Sequence, residues 1–287
     1  MRRNWKFSDG LLIAFLVTLA LLATRSIWSD IFVLARKSEE SSYIFLALPM
    51  AAWLAWLRRE RVRFCRPQPS PLGAAAIAAG WGLIVIGQEK AIDIFRDAGA
   101  LSIVIGAVLA VVGTEVIVRF AAAWGAMLFL LPVPGRIRHM IAAPLQEASA
   151  SITHWILDLV AIPVQQNGNM LVINGAEVAI AEACNGMRMV AALALIAYAF
   201  VFSFPMRLWA RVFLLALSPL VAVLVNVLRL APTALLYGYS TDSVAHTFHD
   251  LAGWGVLLVA LAVMWSVLAL MRALELPLIP YSVREEA

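Results

Sequence analysis

Three short clusters of polar residues interrupt the apolar second half of the chain. They are Glu182-Ala183-Cys184-Asn185-Gly186-Met187-Arg188, then Asn226-Val227-Leu228-Arg229, then His246-Thr247-Phe248-His249-Asp250 with Gly253-Trp254 behind it. Cysteine reacts as its thiolate, and a helix N-terminus, an arginine or an imidazolium lowers its pKa from about 8.5. Histidine moves a proton near neutral pH. Arginine is no base, but in a partly dry site it binds a developing oxyanion. Together the three residue types suit acyl transfer through a thioester.

The elements that must position these residues are membrane helices. Of 287 residues, 63% are hydrophobic and 14% charged, where a soluble domain carries about 25% charged residues. The apolar residues gather into blocks of the length that crosses a hydrocarbon core, about 20 residues of helix. Candidate spans are 9–28, 42–57, 71–87, 98–118, 120–134, 186–204, 208–234 and 251–272, about eight in all. Unpaired backbone groups are not tolerated in lipid, so each is expected as an α-helix. The chain thus reads as an all-α polytopic membrane protein forming a single domain over 1–287. The first block follows Arg2, Arg3 and Lys6 but has no small-residue cleavage site after it, and is expected as a retained helix. Two cysteines, Cys65 and Cys184, do not make a disulfide framework. The net charge of +4 implies no nucleic-acid partner, because the basic residues sit in short loops.

Arg58, Arg59, Arg61, Arg63 and Arg66 against Glu60 mark the loop after the second span as cytoplasmic. With eight spans both termini are cytoplasmic, although Arg136 and Arg138 then fall outside. One excursion, about 135–185, lies on the outer face. Its first half has apolar positions at helical spacing and is expected as an amphipathic helix on the membrane surface. Its second half, Met170 to Ile173, Asn174-Gly175 and Ala176 to Ile180, reads as a short β-hairpin. Cys184 then opens the sixth helix, Arg229 lies near the outer end of the seventh, and His246 to Asp250 open the eighth. All three clusters arrive at one membrane depth.

Each residue has a plainer reading. A cysteine at a helix end can be a packing residue, Arg229 can snorkel to the interface, and His246 can merely line the site. Glu182 and Asp250 either orient Arg229 and His249 or are solvated boundary charges. His246, His249 and Cys184 could hold a metal, but an adjacent arginine opposes a cation, so neither metal nor cofactor is expected.

The clusters Glu182-x-Cys184-Asn185-Gly186-Met187-Arg188, Asn226-x-x-Arg229 and His249-x-x-x-Gly253-Trp254 resemble the signature blocks of the exosortase/archaeosortase family, nearest its bacterial branch. Asn185 stands where many members have serine. The resemblance implies a membrane-embedded cysteine protease and transpeptidase at the outer face of the bacterial inner membrane. Cys184 would be its nucleophile, Arg229 the oxyanion or thiolate stabiliser and His249 the acid/base, supported by Glu182, Asn185, Arg188, Asn226, His246 and Asp250. The implied partners are membrane-anchored proteins bearing a C-terminal sorting signal (a Pro-Glu-Pro motif, a helix and a basic tail) and an acceptor amine or water. Two other classes stand beside it: a transporter or lipid- or polysaccharide-export membrane protein, and an export scaffold. A transporter should carry its ionisable residues near the midplane, and a scaffold should tolerate loss of Cys184.

Overall fold

The computed structural model describes residues 5–65, 68–168, 170–179 and 186–276. Every expected apolar block contains helix, although 98–118 breaks at Gly113 (φ +80) and 120–134 is helical only to Leu130, and the architecture is all-α apart from one small sheet. Residues 1–134 and 135–287 form two compact units.

In the first unit, α1 (Phe7–Ala23) is followed by α2 (Arg25–Lys37) at a 74° bend. The expected span 9–28 therefore breaks at Thr24. The reason is a change of pattern: α1 is apolar on all sides, whereas α2 buries only Ile27, Ile31 and Ala35, one stripe at i, i+4, i+8. Thr24 is buried at the corner, donating to the Ala20 carbonyl (2.7 Å) and accepting from Trp28 Nε1 (3.0 Å).

Helices α3 (Ile44–Leu57), α4 (Pro71–Glu89), α5 (Asp93–Val112), α6 (Thr114–Arg119) and α7 (Ala121–Met127) complete this unit. The α4–α5 pair is held by glycines spaced seven apart on each helix. A Cβ on Gly80 would stand 2.7 Å from the Gly99 carbonyl oxygen, and one on Gly99 would stand 2.5 Å from that of Gly80. Gly73 and Gly106 extend the same seam, with backbone directly against backbone. Small residues permit this approach, which strengthens packing where no hydrophobic drive separates helices from lipid.

The second unit contains α8 (Gly135–Leu159), β1 (Val164–Asn167), β2 (Met170–Ile173), β3 (Ala176–Ala179), α9 (Gly186–Ser203), α10 (Leu208–Tyr239) and α11 (Asp242–Ala273). The expected hairpin is a three-stranded antiparallel sheet, with Val164 opposite Ile173 and Ile173 opposite Ala176. Asn174 and Gly175 both take positive φ in the second turn, as an Asn-Gly hairpin requires. Helices α9, α10 and α11 share a core that includes Leu193, Ala197, Val201, Leu214, Val221, Val225, Val256, Ala260 and Met264.

Helix α8 does not stand alone on a surface. Ala150 packs with Leu171 of β2 and Leu230 of α10, and Leu157 packs with Ile173 and Ala234. Its other faces expose Ile141, Ile152, Trp155 and Leu159.

Among the described residues, four helices are long and apolar enough to cross a membrane: α4, α5, α10 and α11. Taking the bent α1–α2 pair as one span gives five. Helix α3, the stretch Ala121–Leu130 and Val190–Ser203 in α9 are apolar but shorter. The count of eight is thus not established by length and composition, while the membrane character of the chain is.

Candidate active site

Helices α10 and α11 are antiparallel neighbours joined across Ser240 and Thr241, and both run further than their hydropathy suggests. The expected span 208–234 continues to Tyr239, and the expected span 251–272 begins at Asp242. At about 1.5 Å rise per residue, Arg229 lies roughly 15 Å from the end of α10 and His249 roughly 10 Å into α11. The two residues share a level, but they sit two to three turns inside the helix pair rather than at its boundary.

They touch. Arg229 Nη2 stands 2.6 Å from Nε2 and 3.0 Å from Nδ1 of His249. Guanidinium nitrogens only donate, so any hydrogen bond here runs from Nη2 to one ring nitrogen of His249, the one its tautomer leaves unprotonated. Arg229 is 3% exposed. An intramembrane charge this deep is costly and marks a site rather than a surface feature. Thr233, one turn later, donates its hydroxyl to the Arg229 carbonyl (2.7 Å).

A polar seam continues from Arg229 onto α8. Asn226, one turn before Arg229 and 9% exposed, donates from Nδ2 to Ser149 Oγ at 3.1 Å. Ser149 itself donates to the Leu145 carbonyl at 2.8 Å, which commits its only proton and fixes it as the acceptor. Among the described residues, Asn226 Oδ1 is buried with no hydrogen-bond partner. Thr153, one turn beyond Ser149, is fully buried and its hydroxyl is likewise unpartnered. Neither Ser149 nor Thr153 is prominent in the sequence. Their signal is a pair of small hydroxyls at i, i+4 on the apolar stripe of α8.

The sheet packs against the C-terminal part of α10. Asn174 Nδ2 donates to the Gly238 carbonyl (3.0 Å), and Ile173 lies so close that a Cβ on Gly238 would be 2.6 Å from its Cγ2.

The other expected site residues separate into three groups. Cys184, Glu182 and Asn185 lie outside the described residues, in the stretch 180–185 that joins β3 to α9. Arg188 falls in the first turn of α9. His246 is exposed and meets Tyr237 edge-on, with ring centroids 5.7 Å apart, while Asp250 is exposed. Of the two histidines, His249 is therefore the one in contact with Arg229. No group of three metal-binding side chains occurs among the described residues.

The family model for transmembrane exosortase (Exosortase_EpsH) matches residues 28–266. The chain belongs to the exosortase family. The match takes in α10, α11 and all three polar clusters, and it crosses from the first compact unit into the second. No curated protein and no solved structure matches the chain. Chemically, a buried arginine can bind developing negative charge, and an imidazole beside it can carry a proton.

Proposed function

We propose that this exosortase is a membrane-embedded cysteine protease and transpeptidase that cleaves C-terminal sorting signals of the Pro-Glu-Pro type. The observation that carries the reading is the buried Arg229–His249 contact between α10 and α11. Cys184 is two residues before Gly186, the start of α9, so the chain keeps it within about 7 Å of that end. Helix α9 packs against α8, α10 and α11, the same helices that carry the seam.

His249 takes the thiol proton of Cys184. The thiolate sulfur bonds to the scissile carbonyl carbon while Arg229 donates to the oxyanion. Collapse breaks the C–N bond, and His249 returns the proton to the leaving amine. The released fragment keeps its membrane anchor. Water or an acceptor amine then attacks the thioester, giving its proton to His249 and releasing the thiolate. Asn226 and Arg188 support the arginine and the entry to α9, and Glu182, Asn185, His246 and Asp250 border the site. Confinement of a helix-anchored substrate to the same bilayer raises its effective concentration.

The reading places the chain as one functional domain in the bacterial inner membrane, with both termini cytoplasmic and the site facing the periplasm. The arginine clusters around Arg58 to Arg66 support that orientation. A transporter is the second reading, favoured by one observation, the depth of Arg229 within α10.

The experiment replaces Cys184, Arg229 and His249 singly by alanine in the native host. It follows the size and location of a protein bearing the sorting tail, with membrane levels of each variant checked. Full-length, membrane-retained substrate in the Cys184→Ala strain is the expected result. Normal processing without Cys184 removes the thioester mechanism and leaves the transporter.

A further inference from the structure

The first compact unit contains a cavity of about 460 Å³ that the proposed chemistry does not use. Its volume lies within the roughly 300–1,000 Å³ common for small-molecule sites. Ala51 and Phe120 form its buried floor, and Trp5, Leu48 and Val62 form its exposed rim. Trp124 also lines it, and its Nε1–H is buried without an acceptor.

The charge around the rim is mostly positive, with Glu60 and Glu115 as its acidic members. Val62 lies in the turn that carries Arg58, Arg59, Arg61 and Arg63 against Glu60, and Trp5 is followed by Lys6. The Trp5 indole anchors that turn by donating to the carbonyls of Val62 (3.3 Å) and Cys65 (3.0 Å). Arg61 Nη1 reaches the carbonyl of Arg119 at 3.4 Å, and Arg119 immediately precedes the floor residue Phe120. Arg61 and Arg119 are both exposed and adjoin the lining residues Val62 and Phe120 in sequence.

We propose that this cavity binds an anionic diacyl phospholipid. The phosphate sits against Arg61 and Arg119, beside the lining residues Val62 and Phe120, and an acyl chain fills the groove between α1, α3, α5 and α7. The positive rim disfavours a zwitterionic or cationic occupant, and the apolar floor disfavours free phosphate. Each guanidinium near an anionic headgroup is worth about 1 kcal/mol, roughly fivefold in affinity.

The test uses the full-length protein, delipidated in a mild detergent and titrated with phosphatidylglycerol or phosphatidylcholine, with bound lipid counted by native mass spectrometry. Wild type should retain phosphatidylglycerol preferentially. The Arg61→Gln/Arg119→Gln variant should lose about thirtyfold for phosphatidylglycerol and keep its weak affinity for phosphatidylcholine. Equal retention of the two lipids by wild type overturns the proposal, as does undiminished phosphatidylglycerol binding in the double variant. Stoichiometric binding of inorganic phosphate with no lipid preference would also overturn it.

Discussion

Replacing Ser149 by alanine should destabilise the second compact unit through a single lost acceptor. Among the described residues, Asn226 has one hydrogen bond, from Nδ2 to Ser149 Oγ at 3.1 Å, and its Oδ1 has none. Ser149→Ala leaves the whole amide unpaired at a position only 9% exposed. The cost of stranding a buried donor is about 1–3 kcal/mol, which raises the unfolded fraction roughly five- to 150-fold. Asn226→Leu removes the amide while keeping a similar shape. Ser149→Ala combined with Asn226→Leu should therefore be more stable than Ser149→Ala alone, because no polar group remains stranded. Reversible unfolding in mixed micelles, run as a double-mutant cycle, reads the coupling, expected at about 1 kcal/mol or more. Strict additivity of the two substitutions, or a Ser149→Ala protein as stable as wild type, would refute the reasoning.

Three further outcomes are expected. Arg229→Lys keeps the charge but not the planar fork, and should lower substrate processing by about 10²–10³-fold; a lysine variant that processes normally would remove the oxyanion role. Gly99→Val places a side chain against the Gly80 carbonyl and should cost about 1–3 kcal/mol or more in unfolding assays. Gly82→Val on the same helix pair meets nothing within 4 Å, so equal losses in the two variants would count against the seam. Burial pushes the Cys65 thiol above its ordinary range, the Arg119 charge partly opposes this, and Glu115 adds to it. In a Cys184→Ala background, maleimide should label Cys65 slowly at neutral pH and faster as pH rises through that elevated value. Arg119→Gln should slow labelling further and Glu115→Gln should speed it; the opposite order would reverse the electrostatic assignment.

Much of this was legible in the residue types. Long apolar blocks could only become helices in lipid, and the order of Arg229 and His249 along successive spans pointed to one shared level, expected at the boundary rather than two to three turns inside the helix pair. Hydropathy misplaced the ends of those helices, because Gly238, Tyr239 and Asp242 to His249 are not apolar. Their helical state comes from pairing along α10 and α11 and from Asn174 bonding the Gly238 carbonyl. Strand β1, Val-Gln-Gln-Asn, has no alternating apolar pattern, and is specified by its partner β2 rather than by its own sequence. The bend at Thr24 was hidden because isoleucine and tryptophan continue past it; the turn shows only in the switch from an all-apolar helix to a striped one. Ser149 and Thr153 are common residue types, and only the arrival of Asn226 and Arg229 on a neighbouring helix gives them meaning.

The glycine seam between α4 and α5 also bears on how the chain enters a bilayer. The two helices are joined by only Lys90, Ala91 and Ile92, and the touching backbones of the seam lie between Gly73 and Ala110. Everything needed to close the pair has therefore been synthesised before α7 or any part of the second unit exists. The pair can leave the translocon as one closed hairpin, with Arg96 already matched to Asp93 and Asp97 on its own helix and to Asp30 upstream. Chains arrested beyond α5 should show this as a compact, protease-protected fragment that Gly99→Val abolishes. The later helices would then assemble beside a finished brace rather than search for partners among unpaired spans.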